Sequence, residues 1–335
     1  MPQFHPQWKQ ILPLVVVACV IIGSLLYGLS QPVSVTAEST VLVAVKPGMS
    51  TQQIGDLLSE QGLIKSALIF RVVAKMEGLA NSLQAGEYAF SKAMTVSEIV
   101  ARLARGETAY TQFTIPEGYT IEQIAKLLES KKLASAAKFK TAAAGYAPYG
   151  YMIAPPEVTY KAEGYVFPDT YRVAAGISEE QLLKLMVGQF DDRFTPAMRQ
   201  QAADLGLSLR EAVILASLVE REAQVPQDRP VIAGVFLARL KLGMPLQSCA
   251  TIQYILGYPK PELTVQDTEI PSPYNTYLNP GLPPGPIANP GMEAIKAVLN
   301  PARTDYLYFV ADKNGAHRFS RTYEEHLASI DQISQ

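Results

Sequence analysis

A chain of 335 residues with 48% hydrophobic content is long enough for two folded domains and too apolar to stay disordered. Its net charge of −2 argues against nucleic acid as a partner. Two cysteines and three histidines supply neither a disulfide framework nor a zinc cluster, so no metal and no other cofactor is expected.

Residues 11–29 contain no charged side chain. At about 1.5 Å per residue such a run spans roughly 28 Å, close to the hydrocarbon core of a bilayer. Lys9 precedes it and the next basic residue is Lys46, which places the N-terminus in the cytoplasm and the rest outside. Trp8 and Tyr27 stand near its two ends, where interfacial aromatics belong. The competing readings are a cleaved signal peptide and a lipidated Cys19 after Val16-Val17-Ala18. Against the second, Val20-Ile21-Ile22 carries the apolar run past that cysteine. Residues 30–40 then read as a polar linker.

A weak repeat follows. Pro47-Gly48-Met49-Ser50 leads into Gln53-Ile54 and Leu57-Leu58, and Glu117-Gly118-Tyr119-Thr120 leads into Gln123-Ile124 and Leu127-Leu128. Each copy follows a strand-like run, Val41–Val45 and Phe113–Ile115. The pattern predicts a strand, a glycine turn and a helix capped by Ser50 or Thr120, with glutamine closing a capping box. A further helix start stands at Thr95-Val96-Ser97-Glu98. Residues 41–108 resemble a LysM-like module, a small fold used to hold amino-sugar polymers, but any strand–turn–helix needs such residues, and glycan binding by the module stays open.

Ser208-Leu209-Arg210-Glu211 is another capping box. It opens a helix that is apolar or small on every face through Val219 and so is expected to be buried. The helix delivers Glu220-Arg221-Glu222. A carboxyl group at the end of a buried helix is partly desolvated, which raises its pKa and suits a general acid. Periodicity does not choose between the two glutamates: Val213, Ala216 and Ser217 share the face of Glu220, and Leu215 and Leu218 that of Glu222.

Longer blocks decide what the chain resembles. LASLVEREA at 215–223, VIAGVFLARLKLGMPLQS at 231–248 and TIQY at 251–254 are similar to the YceG-like family of endolytic murein transglycosylases. So are AEGYVFPDTY at 162–171, SPYNTYLNPGLPPGPIANPG at 272–291 and YLYFVADKNGAHRFSRTYEEH at 306–326. One departure is visible: Cys249-Ala250 stands where the family usually has Asp-Pro.

The resemblance implies an α+β protein. Residues 1–10 are its cytoplasmic N-terminus, 11–29 a transmembrane helix and 30–40 a linker. The LysM-like module covers 41–108, and an α+β YceG-like catalytic domain 109–335. It also makes Glu220 the catalytic residue, as the first glutamate of the L-V-E-x-E element. The implied activity is cleavage of the MurNAc–GlcNAc bond inside nascent peptidoglycan strands, leaving 1,6-anhydro-MurNAc ends and terminating elongation. The protein would be single-pass in a bacterial cytoplasmic (inner) membrane, with its catalytic domain on the periplasmic side. Glycan strands are the expected partner, and peptidoglycan synthases are candidates.

Other residues are substrate-binding candidates by their chemistry. Nine of the 24 prolines lie between Pro259 and Pro290, so this loop is pre-ordered. Asn275, Thr276, Tyr277 and the main chain of Gly281, Leu282, Pro283 and Pro284 offer groups for sugar amides and hydroxyls. Tyr254, with Tyr274, offers a ring to pack on a sugar face. Gln247, Ser248 and Thr251 are short polar groups able to orient the acid or the substrate. Glu163 is the best-placed second carboxylate, and a cap or ion pair is its plain alternative. A non-catalytic glycan-binding scaffold and a muramidase that uses water remain rival readings.

Overall fold

The computed structural model describes residues 8–34, 36, 40–174, 176–260 and 262–334. The cytoplasmic N-terminus read at 1–10 lies outside it as far as residue 7, as does part of the 30–40 linker. The chain divides into two compact units, Met1–Thr111 with Arg172–Ala175, and Gln112–Tyr171 with Gly176–Gln335.

The first unit begins with α1 (Trp8–Ser30), which carries Pro13 inside it. Its residues Leu12–Ser30 are long and apolar enough to cross a membrane, and none of them is buried. At the end of α1, Lys65 Nζ donates to the Gly28 carbonyl at 3.1 Å. After it come β1 (Thr40–Val45), α2 (Thr51–Glu60), α3 (Ala67–Met76), β2 (Gly86–Ser91) and α4 (Val96–Arg105). β1 and β2 pair antiparallel, with Thr40 opposite Ser91 and Val45 opposite Gly86. Alternation along the two strands turns Val43, Val45, Tyr88 and Phe90 inward, where they meet Ile54, Leu58, Phe70, Val100 and Leu103. Burying each such side chain contributes about 1.5–3 kcal/mol, so this small sheet is held mainly by the helices covering one face.

The boxes expected at the helix starts form. Ser50 and Gln53 cap α2, and Thr95 and Glu98 cap α4. Thr120 and Gln123 cap α5 (Ile121–Ser130). The preceding Gly48 and Gly118 both take left-handed backbone angles, φ +82° and +73°, which L side chains avoid.

The second unit is mostly helical. β3 (Tyr110–Thr114) and β4 (Thr170–Ala174) each have residues in both units; α5 and α6 (Ala136–Gly145) follow β3 in the chain, and α7 (Glu179–Arg193) and α8 (Pro196–Asp204) follow β4. α9 (Leu209–Glu222) is the spine, with Ala212 through Val219 all buried. It packs against α8, α10 (Arg229–Lys241), α11 (Cys249–Leu256) and, after the short α12 (Val265–Thr268) and the proline-rich loop, α13 (Met292–Leu299). A hairpin of β5 (Tyr308–Ala311) and β6 (His317–Ser320) and the final α14 (Tyr323–Ser334) complete it.

Candidate active site

The site is built on one stripe of α9. Arg210, Val213, Ser217 and Glu220 follow one another at i, i+3, i+7 and i+10, and so share a face. The end of the proline-rich loop runs along that stripe in the same direction. Arg210 Nη2 donates to the Pro284 carbonyl. The Ile287 N–H donates to Ser217 Oγ at 3.1 Å, and the Gly291 N–H donates to Glu220 Oε2 at 3.0 Å. Polar side chains on an otherwise apolar helix thus satisfy a loop that would carry unpaired backbone groups in the core.

Glu220 stands at the C-terminal end of this stripe. Its side chain is 8% exposed, and its second oxygen lies 3.7 Å from Arg229 Nη2. Burial pushes its carboxyl above the ordinary glutamate range. The Gly291 N–H opposes that, the charge of Glu117 adds to it, and Arg229 and Arg221 pull the other way, but burial dominates. Gly118 backs the side chain: a Cβ there would lie 3.5 Å from Glu220 Cγ. The Nε of Arg229 is buried with no hydrogen-bond partner among the described residues.

The two glutamates of the Glu-Arg-Glu end separate clearly. Glu222 Oε1 accepts from Ser248 Oγ and from the Ala250 N–H at 3.3 Å, so it holds the first turn of α11. Among the described residues Glu220 takes a hydrogen bond from the Gly291 N–H alone, and its second oxygen has only the longer ion pair to Arg229.

Glu163 is fully enclosed. Both its oxygens receive the Ile121 N–H at 3.1 Å, which opens α5, and Oε1 also receives Asn289 Nδ2 at 2.9 Å. The Asn289 carbonyl accepts from Gly118 N at 2.9 Å, and its own N–H donates to the Tyr119 carbonyl at 2.9 Å. Burial pushes the Glu163 carboxyl up to about 8 against these donors and one from Tyr254. Glu163 therefore joins the Tyr119 turn to the loop segment entering Gly291, in the manner of its plain alternative as a cap.

Two cavities flank α11. The first, about 460 Å³, is lined by Glu163, Tyr160, Tyr254, Tyr274, Arg221 and Gln253. Its two tyrosines Tyr254 and Tyr274 lie 5.0 Å apart with tilted rings. The second, about 480 Å³, is lined by Gln247, Cys249, Tyr277, Glu222 and Arg239 among others. Arg221, Ala250 and Gln253 line both. Glu220 lines neither, but its chain neighbour Arg221 looks into each.

Of the substrate candidates, the structure thus brings Glu163 and Tyr254 to one cavity and Gln247 and Tyr277 to the other. Ser248, Thr251, Asn275 and Thr276 are buried and bonded inward. Thr276 Oγ1 accepts from Ser248 N at 3.0 Å and meets Thr251 Oγ1 at 3.0 Å. Asn275 Nδ2 donates to the Thr268 and Ile270 carbonyls at 2.9 and 2.8 Å, fixing the turn before Tyr277. Gly281 and Leu282 are half-buried, Pro283 is buried, and the Pro284 carbonyl is occupied by Arg210. Sequence reasoning missed Glu117 and Arg229. A signal for Glu117 existed: the first copy of the repeat makes the same turn with Pro47 in that place.

Residues 43–332 match the YceG-like family. The chain belongs to that family. It is 36% identical over 319 residues to an endolytic murein transglycosylase of Bacillus subtilis strain 168, covering 91% of this chain and 88% of the relative. It is 33% identical over 324 residues to an endolytic murein transglycosylase of Streptococcus pneumoniae serotype 2, covering 88% of this chain but spanning 58% of that protein's length. The crystal structure of a yceG-like protein of Listeria monocytogenes, lmo1499, superposes with a TM-score of 0.61 at 33% identity, covering 88% of this chain and all of the other. The matched YceG-like segment contains every residue described at the site.

Proposed function

We propose that the chain is an endolytic murein transglycosylase in which Glu220 is both the acid and the base. The observation that carries this reading is Glu220 itself: a buried carboxyl at the end of a buried helix, with one oxygen fixed by a backbone N–H and the other facing Arg229 at 3.7 Å without a hydrogen bond among the described residues. Oε2 accepts from Gly291, so the proton of the neutral acid belongs on Oε1. From there it passes to the oxygen joining MurNAc to GlcNAc as the bond from that oxygen to the muramoyl C1 breaks. The carboxylate left behind takes the proton of the C6 hydroxyl, whose oxygen attacks C1 and closes the 1,6-anhydro ring. Glu220 ends protonated, and no water is consumed. One positioned acid–base group contributes about 10²–10⁴-fold. The rest must come from positioning and from stabilising the charge that develops at C1.

α1 anchors the chain in a bacterial cytoplasmic membrane, with the two folded units on the outer side, as the Lys9-to-Lys46 asymmetry favours. Residues 41–108 act as a LysM-like module on nascent glycan; the β-α-α-β order with antiparallel strands is consistent with this. Tyr254 and Tyr274 offer sugar-packing surfaces in the first cavity, and Gln247 and Tyr277 polar ones in the second. Peptidoglycan synthases are the partners such a position favours.

Mass spectrometry of glycan digested by the full chain in detergent tests the chemistry. Wild-type products should end in 1,6-anhydro-muramic acid, lighter by about one water, roughly 18 Da, than hydrolysis products. Glu220→Gln should lose at least about a hundredfold in rate while still folding, because glutamine can accept from Gly291 but carries no proton to give. Glu222→Gln, which keeps an acceptor for Ser248, should lose far less. Full activity of Glu220→Gln rejects the assignment, and reducing ends in place of anhydro ends reject the lytic reaction.

A further inference from the structure

Gly291 is contacted by two carboxyl groups, of which only one belongs to the chemistry described above. Its N–H is held by Glu220. Its open side is filled by Glu117: a Cβ on Gly291 would lie 2.0 Å from Glu117 Oε1 and 2.7 Å from Oε2. Gly291 is also the N-cap of α13, and a glycine there has no side chain to cap the helix. The positive end of the helix dipole favours carboxylates collecting at this end.

Nothing in the fold requires an acid at 117. The equivalent turn at Pro47-Gly48 forms with proline there and with the same left-handed glycine. Among the described residues Glu117 makes no hydrogen bond and no ion pair, although it is exposed and free to reach one. Its turn is nevertheless fixed against the site: Gly118 donates to Asn289, Arg221 Nη1 donates to the Gly118 carbonyl at 3.4 Å, and Gly118 backs onto Glu220. The charge is therefore carried on a rigid turn to a place beside the acid, where it binds nothing.

We propose that Glu117 is a positioning residue that keeps the proton on Glu220 by holding a second negative charge across Gly291. The proposal rests on Glu220 being the acid. Three charged groups face Glu220: Glu117 from the turn before α5, Arg221 from its own helix and Arg229 from the start of α10. The two arginines favour the carboxylate, and Glu117 alone among them favours the acid, in the same direction as burial. Without Glu117 the cations are unopposed, and less of Glu220 is protonated at neutral pH.

Two substitutions test this by different routes. Glu117→Gln removes the charge and keeps the shape. Gly291→Ala keeps the charge and displaces it, because the methyl group takes the space of the Glu117 carboxylate, while φ −74° and ψ 168° suit alanine and the N–H to Glu220 survives. In both, the alkaline limb of kcat/KM against pH should move down by roughly half a pH unit, the size expected of one exposed charge a few ångströms from its target. The loss should be about threefold at pH values above the limb and should vanish well below it. The same shift should be read without turnover, by ¹³C NMR of the full chain in detergent with labelled glutamate carboxyls. The Glu220 signal there is the one missing from Glu220→Gln. A loss of activity that is uniform across pH, with the Glu220 titration unmoved, would show that Glu117 only shapes the turn and would overturn the proposal. Hydrolytic products from the wild type would overturn it differently, by making Glu117 a second catalytic carboxylate. If Glu220→Gln stays active while the NMR shift appears, the acid assignment fails and the electrostatic coupling stands.

Discussion

Ser217 offers a sharp probe of the loop that carries Gly291. Its hydroxyl is fully buried and makes two bonds, donating to the Ile214 carbonyl at 2.7 Å and accepting from the Ile287 N–H at 3.1 Å. In Ser217→Ala the first loss is small, since Ile214 lies inside α9 and its carbonyl keeps a helical partner. The second leaves a buried N–H with no acceptor, which costs about 1–3 kcal/mol. In a unit of this size each kcal/mol lowers Tm by about 2–4 °C, so a fall of roughly 2–12 °C is expected. Near-ultraviolet circular dichroism on heating reads it. Activity at 25 °C should also fall, because the same loop presents the Gly291 N–H to Glu220. Arg210→Met, which frees the Pro284 carbonyl at the other end of the loop, should lower Tm too. The double variant should cost less than the sum, since either change releases the same segment. A Tm within 1 °C of wild type with unchanged activity would refute the view that the helix stripe holds the loop in place.

Arg229→Gln should move the alkaline limb of kcat/KM upward, opposite to Glu117→Gln, because a group that favours the Glu220 carboxylate is gone; a pH–rate profile decides, and a downward move would refute it. Cys249→Ala should keep activity within about threefold, since the thiol is exposed and meets the Tyr277 hydroxyl at 3.1 Å. A loss of a hundredfold or more, about 2.7 kcal/mol of transition-state stabilisation, would place it in the chemistry.

Local features were legible from sequence. The capping boxes at Ser50, Thr120 and Ser208 and the buried run of α9 depend on residues three or four apart, and each forms where the pattern puts it. Which neighbour a short polar side chain serves is not a local property. Ser248, Thr251, Asn275 and Thr276 have the chemistry of sugar-binding groups, yet they turn inward, because a loop crossing the core must satisfy its own backbone. Glu163 shows the same limit: its partner Asn289 is 126 residues away, and nothing near either residue announces the other. Glu117 was concealed differently. Its motif reads as a complete turn, and only the proline at the matching place in the first copy marks that turn as one that forms without an acid.

The bond from Gly291 to Glu220 spans 71 residues of chain. Synthesis proceeds from the N-terminus at about 5–20 residues per second, so the acid is made some 4–14 s before the backbone group that holds it. During that interval α9 can form, but its polar stripe faces no loop, and Glu220 sits at a helix end open to water with neither Gly291 nor the α13 terminus beside it. Desolvation, the largest cause of its raised pKa, is then absent. The last part of the chain to arrive is thus what buries this glutamate, and a protein stalled or cut short before residue 291 would carry the proposed acid without the surroundings that raise its pKa.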